Sequence, residues 1–344
     1  MSQDEGGRIR GAVVVNHPAD IDSLVRAARQ GVIKAVARLV SLAESEDDPG
    51  LARRVSEALS QDKRRAHVIG ITGSPGAGKS TLSSALVTRL RADGLRVGVL
   101  AVDPSSPLTG GAFLGDRVRM QAHATDNGVF IRSMASRGRL GGLSPAVPLA
   151  ARVLEVAGYD VVLIETVGVG QSEVEIASIA DTTVVVFAPG HGDAVQAAKA
   201  GIMEIADIFV VNKADMPGAD DVARNLRHAL LVGATQPETA WRRPIVRTSA
   251  GCDSPGGIAD LMALVSRHRA WIAASGEAAS RRRRRTADEI RTIVLEDVGR
   301  RLSERRSTLR LDELASRVEA AELDQYTAAD IALGSLVRGG RADL

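Results

Sequence analysis

A single cysteine, Cys252, stands in the 344 residues. One thiol excludes an internal disulfide and any multi-cysteine metal cluster, and fits a buried or half-buried side chain in a reducing compartment. Aromatic residues make up only 2%, so a core has to be built from Val, Ile, Leu and Ala. No stretch reaches the roughly eighteen consecutive apolar residues that a membrane span needs. The N-terminus, Met1-Ser-Gln-Asp-Glu-Gly-Gly-Arg8, lacks the basic-then-apolar order of a signal peptide. A cytoplasmic protein with no membrane partner is expected. Net charge is only +2, which demands no polyanionic partner. The histidines at 17, 67, 123, 191, 228 and 268 lack ligand spacing and read as surface or packing residues. What remains is an ordinary globular composition, 44% apolar and 25% charged. The length suits one large α/β domain with smaller additions.

Patterning divides the chain into three parts. Residues 1–63 are a frayed tail to about residue 19 and then a helical lead-in. There Ile21, Leu24, Val25, Ala28, Val32, Val36, Leu39 and Val40 recur at helical spacing, and a second short helix covers Leu51–Leu59. This lead-in carries no catalytic residue and is expected to pack on the next domain. Residues 64–274 alternate apolar runs with helical ones. The runs are Val68–Thr72, Arg96 to Asp103, Gly128–Arg132, the segment from Tyr159 carrying Glu165, Thr183–Ala188, Ile208–Val211 and Ile245–Thr248. Helices are expected after the first run and over Pro145–Ala157, Ala194–Ile205, Asp220–Val232 and Gly257–Ala273. Near-continuous apolar strands in βαβ alternation predict an α/β fold with a mostly parallel sheet covered by helices on both faces. In such a sheet ligands sit beyond the strands' carboxyl ends, where Asp103, Glu165 and Asp215 all lie. Residues 275–344 form a charged helical extension with apolar stripes at Ile290, Ile293, Val294, Val298, Leu302 and at Leu311, Leu314, Val318, Ala321, and a short helix about Ile331–Val337. These stripes are expected to dock on the central domain or on a second subunit. No aromatic residue interleaves the run Arg281–Arg285, so it reads as a solvated linker rather than a nucleic-acid contact.

The chemistry starts at Gly73-Ser74-Pro75-Gly76-Ala77-Gly78-Lys79-Ser80-Thr81. This G-x-x-x-x-G-K-S follows an apolar strand and opens a helix with Leu82, Leu86, Val87 and Leu90 on one face. Glycines let backbone N–H groups close on polyphosphate oxygens, and the helix N-terminus adds a favourable dipole. Lys79 is placed to neutralise the β/γ charge, and the Ser80 hydroxyl to ligate Mg²⁺. A chance glycine-rich turn would not need both the strand and the helix. The segment binds a nucleoside triphosphate.

Asn212-Lys213-Ala214-Asp215, directly after an apolar strand, points to the base. Guanine presents N1–H and an exocyclic amine, two donors that the Asp215 carboxylate can accept together. Adenine presents an acceptor at N1 instead. A polar turn would fit the four residues alone, but they follow a P-loop and precede a strand ending in Ser249-Ala250, and together these read guanine. At the metal, Ser80 is expected to be joined by Glu165, with Asp103 and Asp116 as further candidates. Gly168 of Glu165-Thr-Val-Gly168 brings an N–H toward the γ-phosphate. Small GTPases carry a glutamine directly after this glycine, and here Val169 stands there, with Gln171 close but not in that position. Intrinsic hydrolysis is therefore expected to be slow, with a partner completing the site.

Four stretches in order carry a resemblance. They are Val68–Thr81, the Val102–Met120 segment with Asp103, Asp116 and Thr109-Gly-Gly, Glu165-Thr-Val-Gly-Val-Gly-Gln-Ser-Glu173, and Asn212–Asp215. Together they closely resemble the methylmalonyl-CoA mutase-associated GTPases of the MeaB/ArgK type, over about residues 20–340. The resemblance implies a GTPase using GTP/GDP and Mg²⁺, with Ser80, Asp103, Asp116 and Glu165 as the metal-linked set. It implies a homodimer made through the C-terminal extension, and a partner, adenosylcobalamin-dependent methylmalonyl-CoA mutase, whose cofactor loading it gates and which it protects. It also implies a further switch in Gly190–Lys199, marked by Asp193 and Lys199, although Ala194 stands where relatives usually carry a second acid. Two other functions fit the fold. A nickel or cobalt metallochaperone GTPase would normally show a Cys- or His-rich delivery segment. A kinase acting on amino-acid-transport binding proteins would need an acceptor site and gives no reason for selecting guanine.

Overall fold

The computed structural model describes residues 21–45, 48–103, 120–135, 143–144, 146–166, 172–190, 201–232, 240–252, 255–304 and 311–339. Asp116, Gly168, Val169, Gln171, Asp193, Ala194 and Lys199 lie outside the described residues. The chain forms two compact units, one reaching to Arg281 and the other beginning at Arg282.

Seven strands make the sheet of the first unit: β1 (His67–Gly73), β2 (Val97–Asp103), β3 (Val129–Ala135), β4 (Val161–Thr166), β5 (Thr182–Phe187), β6 (Ile208–Val211) and β7 (Ile245–Arg247). Their order is β3-β2-β4-β1-β5-β6-β7, and every neighbouring pair is parallel. β1 therefore sits in the middle, between β4 and β5. Its residues alternate between faces, as a pleated strand requires. Val68 packs with Leu100 and Val102 of β2 against α1 (Ile21–Arg29), α2 (Ile33–Ala43), α3 (Pro49–Leu59), α5 (Ala146–Val156) and α6 (Ser172–Ile179). Ile69 and Ile71 pack with Val97 and Val99 against α4 (Lys79–Ala92) and α9 (Ile258–Ala274). A third cluster joins β5 and β6 to α7 (Ile202–Ile205) and α8 (Ala219–Val232). Helices on both faces explain why nearly every strand residue is buried and why the strands read as continuous apolar runs.

The lead-in helices are part of this core. Val36, Leu39 and Val40 of α2 are fully buried with Val147 and Leu154 of α5. Arg152 of α5 donates to the carbonyls of Leu59, Asp62 and Arg64, holding the chain where it leaves α3. The sequence spacing suggests one helix from Ile21 to Val40, but two are present, because Gly31 adopts a left-handed φ of 83°. Its N–H bonds Ala28 O, and Val32 N–H reaches back to Ala27 O. That pair of bonds closes a helix C-terminus on a residue with no Cβ penalty. α6 has no counterpart among the expected helices, because its eight residues are too few to show a helical period.

The arginine run also differs from expectation. Arg281–Arg285 lies within α10 (Glu277–Glu304), not in a linker. Arg281 makes two bonds of 2.9 Å to the Asp207 carboxylate and also donates to Asp181 O and Glu277. A buried carboxylate and an acid one turn earlier supply the acceptors that a solvated run would find in water. In the second unit, α11 (Leu311–Glu319) and α12 (Gln325–Gly339) bring together Leu314, Ala328 and Ala332. The last helix is longer than the short one expected. Ile290, Ile293, Val294 and Leu295 of α10 are each more than half exposed.

Candidate nucleotide-binding site

β1 ends at Gly73, and α4 begins at Lys79, so residues 74–78 turn the chain from strand to helix at the carboxyl edge of the sheet. Two glycines permit the turn by contact as well as by torsion. A Cβ at Gly73 (φ 137°) would stand 2.1 Å from Val186 O of β5, and one at Gly78 (φ 90°) would stand 2.4 Å from Asn212 Nδ2. No side chain fits either gap. Lys79 is buried, and its ammonium donates to the carbonyls of Gly73 (2.8 Å) and Ser74 (3.0 Å). The charge is thus held across the mouth of the loop, at a helix N-terminus whose dipole also favours anions. Ala77 and Ser80 are buried, Ser74 and Gly78 half-buried, while Pro75, Gly76 and Thr81 face outward.

The acid expected at the metal is beside the loop. Glu165 lies opposite both Ile71 of β1 and Ala101 of β2, and is 3% exposed. Ser80 Oγ donates to its Oε1 at 2.5 Å, and Ser83 Oγ to its Oε2 at 2.9 Å. Thr166 donates to Thr72 at 2.9 Å and ties the same two strand ends together. Asp103, also buried, is the last residue of β2. Hydroxyl and carboxylate oxygens are the hard donors that suit Mg²⁺, so the residues present fit that ion. Among the described residues no three His, Cys, Asp or Glu side chains gather as a metal cage. This donor set would therefore hold Mg²⁺ together with phosphate oxygens and water, the usual way that ion is bound.

At the end of β6 the Asn212 side chain is 2% exposed and fully engaged with protein. Its Nδ2 donates to Ala77 O (3.0 Å) and Gly78 O (3.4 Å), and its Oδ1 accepts from Thr248 Oγ1 (2.9 Å) and Ala250 N–H (3.3 Å). Asn212 therefore bolts the phosphate loop to the loop after β7. Lys213 takes a left-handed φ of 55°, and Ala214 N–H bonds Thr248 O, so the turn presents Asp215 exposed to solvent. Ser249 pairs with Gly256, which closes the neighbouring loop around Ala250. Cys252 in that loop is exposed, against the expectation of a buried or half-buried thiol.

The structure thus brings together Gly73 to Ser80, Glu165 and Asn212, and sets Asp103 at the same edge of the sheet. Sequence reasoning missed Ser83 and Thr248, the side chains that orient Glu165 and Asn212. The first had a signal, since Ser83 lies three residues beyond Ser80 on one helix face. The second had none, because Thr248 meets Asn212 only once β6 and β7 pair.

Comparison with known proteins agrees with this geometry. The family model described as methylmalonyl Co-A mutase-associated GTPase MeaB matches residues 36–307. A putative GTPase of Pyrococcus abyssi is 46% identical over 93% of this chain and 98% of its own. GTPase ArgK of Escherichia coli is 36% identical over 81% of this chain and 85% of its own. The mouse mitochondrial protein named methylmalonic aciduria type A homolog is 38% identical over 67% of this chain and 55% of its own. Among solved structures, one described as a LAO/AO transport system kinase superposes with a TM-score of 0.67 at 27% identity, covering 93% of this chain and 98% of that one. With the family model spanning most of the chain and relatives alike over nearly their full length, this protein belongs to the MeaB family of GTPases.

Proposed function

We propose that this chain is a Mg²⁺-dependent GTP switch that serves an adenosylcobalamin-dependent methylmalonyl-CoA mutase, gating cofactor loading and protecting the loaded enzyme. The observation that carries the nucleotide part is the Asn212 side chain, which joins the phosphate loop to the base-side loops in one buried network. The family description and the name of the mouse relative support the mutase part.

In this reading the backbone N–H groups of residues 76–81 and the Lys79 ammonium hold the β- and γ-phosphates. Asp215 accepts guanine N1–H and the exocyclic amine, with Ser249 and Ala250 closing over the base. Ser80, Glu165, Asp103 and Asp116 would hold Mg²⁺, which would neutralise charge on the phosphates. Gly168 aims an N–H at the γ-phosphate. Val169 follows it in sequence where small GTPases carry a glutamine, and Gln171 comes two positions later, so turnover is slow until a partner completes the site. Asp193 and Lys199 form the switch that reports nucleotide state, and the protein acts as a homodimer.

Phosphate release from GTP, measured with and without the mutase, tests this. Slow release alone and acceleration by the mutase are expected, and Lys79→Ala should abolish triphosphate binding in a folded protein. Fast release that ignores the mutase would remove the switch, and unchanged affinity and turnover in Lys79→Ala would remove the phosphate-loop assignment.

A further inference from the structure

Serines inside helices usually turn their hydroxyl back onto the carbonyl one turn earlier. Ser41 and Thr88 do this here, bonding Ala37 O at 3.0 Å and Ser84 O at 3.1 Å. Ser83 does not follow them. It is 0% exposed in the middle of α4, and its hydroxyl instead donates across to Glu165 Oε2 at 2.9 Å. Ser80, one turn earlier on the same helix face, donates to the other oxygen, Oε1, at 2.5 Å. We propose that Ser83 is a positioning residue for the Mg²⁺ site. It fixes the plane of the Glu165 carboxylate, and through it the direction in which Ser80 presents its lone pairs.

The terminal torsion of a glutamate is broad, so one donor on one oxygen leaves the carboxylate free to rock. Ser83 adds a donor on the second oxygen and restricts that freedom. Ser80 gives its hydroxyl proton to Glu165, so its oxygen would meet a cation through its lone pairs. Where they point follows from where Oε1 is held. Ser83 is enclosed by the core and bonded to the acid, so it acts through Glu165. Partners of this kind typically change metal affinity by roughly 10- to 100-fold when removed. The low end is expected here, because Ser80 continues to hold Oε1. The proposal rests on the reading of Ser80 and Glu165 as Mg²⁺-linked residues.

The test is a calorimetric titration of MgCl₂ into the full-length protein saturated with GDP, beside GDP binding in EDTA. Ser83→Ala should weaken Mg²⁺ binding by roughly 10-fold and leave metal-free GDP binding unchanged. Ser83→Thr, which keeps the hydroxyl, should restore it. If Ser83→Ala does not fold, Ser83→Cys, close in volume but a poor donor, is titrated in its place and should also weaken Mg²⁺ binding. A lowered melting temperature with the Mg²⁺ titration unmoved would make Ser83 a bolt in the core and overturn the proposal. Equal loss of Mg²⁺ binding and metal-free GDP binding would overturn it too, as general damage to the loop. A wild-type protein whose GDP complex takes up no Mg²⁺ would overturn the metal reading itself and the proposal with it.

Discussion

Two residues three positions apart in one motif are built for different work. Asn212 is buried and bonded at both ends of its amide to protein, whereas Asp215 is exposed at the tip of the turn. Their substitutions should therefore differ in kind. Asn212→Ala removes the tie between the phosphate loop and the loop after β7, and strips Thr248 of an acceptor. It should cost roughly 1–3 kcal/mol of stability and weaken GTP, ATP and xanthosine triphosphate alike. Asp215→Asn should leave stability unchanged and alter selectivity. Xanthine replaces guanine's exocyclic amine with a carbonyl, so an Asn amide N–H can meet it while the Asn oxygen keeps N1–H. Loss of one charge-assisted bond and an unpaired donor on guanine should cost on the order of 2–4 kcal/mol, or roughly 30- to 1000-fold in GTP affinity. Competition binding of the three nucleotides to both variants separates the roles. A mutant that keeps its GTP preference would mean Asp215 does not read the base.

At the scale of elements, β1 and β5 also carry a polar chain at the edge opposite the nucleotide. His67 Nε2 lies 3.0 Å from Thr182 Oγ1, which lies 2.8 Å from His268 Nδ1, and His268 Nε2 is 3.3 Å from Asp207. Asp207 in turn holds Arg281 and accepts from Thr183 N–H. Burial drives the His67 imidazole down to about 4, with Arg269 and His268 lowering it further and Asp181 and Asp207 pulling the other way. Asp207 sits near 2: burial pushes it up, but bonds from His268 and Arg281 outweigh that. The signs add in acid. His67 is depressed below its unfolded value of 6.5, so the unfolded chain binds the extra proton between pH 6.5 and 4. Stability is complete above 6.5 and falls through that window by on the order of 3 kcal/mol. Asp207 stabilises above 3.8, and that contribution is lost as pH falls toward 2. Urea unfolding from pH 7.5 to 4.5 should show the first loss, and His67→Gln should flatten it. An unchanged slope in that variant would assign the acid sensitivity elsewhere.

These elements also mark what could be read in advance. β6 was legible to the residue, Ile208–Val211, because four apolar residues stand between polar ones. β1 and β2 were legible because a strand buried on both faces needs an unbroken apolar run. The break at Gly31 was hidden because the apolar period continues through it: Ala28 and Val32 still fall on one face of an idealised helix. Arg281 was misread for a related reason. Its partner Asp207 lies 74 residues away in sequence, and no local pattern announces a pairing that only the sheet creates.

For the molecule as a whole, the exposed apolar residues of α10 are the feature that a single chain leaves unexplained. Ile290, Ile293, Val294 and Leu295 are already partly covered, and covering the rest would bring each roughly 1–2 kcal/mol, while among the described residues the second unit's own buried cluster is Leu314, Ala328 and Ala332 with their neighbours. So small a core is a weak basis for independent folding, and the proposed homodimer supplies the cover. The cut that tests this has to respect Arg281. A chain ended at Arg285 keeps the Asp207–Arg281 pair and the first turns of α10 while removing every exposed apolar residue named above. It should run as a monomer in light scattering and bind GTP within about twofold of the full chain, because the loop from Gly73 to Ser80, Glu165 and Asn212 all lie in the first unit. Arg281→Ala in the full chain should do the reverse and keep the dimer. It deprives a buried carboxylate of its bidentate partner, at a cost of about 2–3 kcal/mol, below the ~3–5 typical of fully buried pairs because the Arg281 side chain is 23% exposed. An intact dimer in the shortened chain would refute the assignment of the C-terminal helices to dimerisation. A monomer that has lost GTP binding would show instead that the nucleotide site depends on those helices.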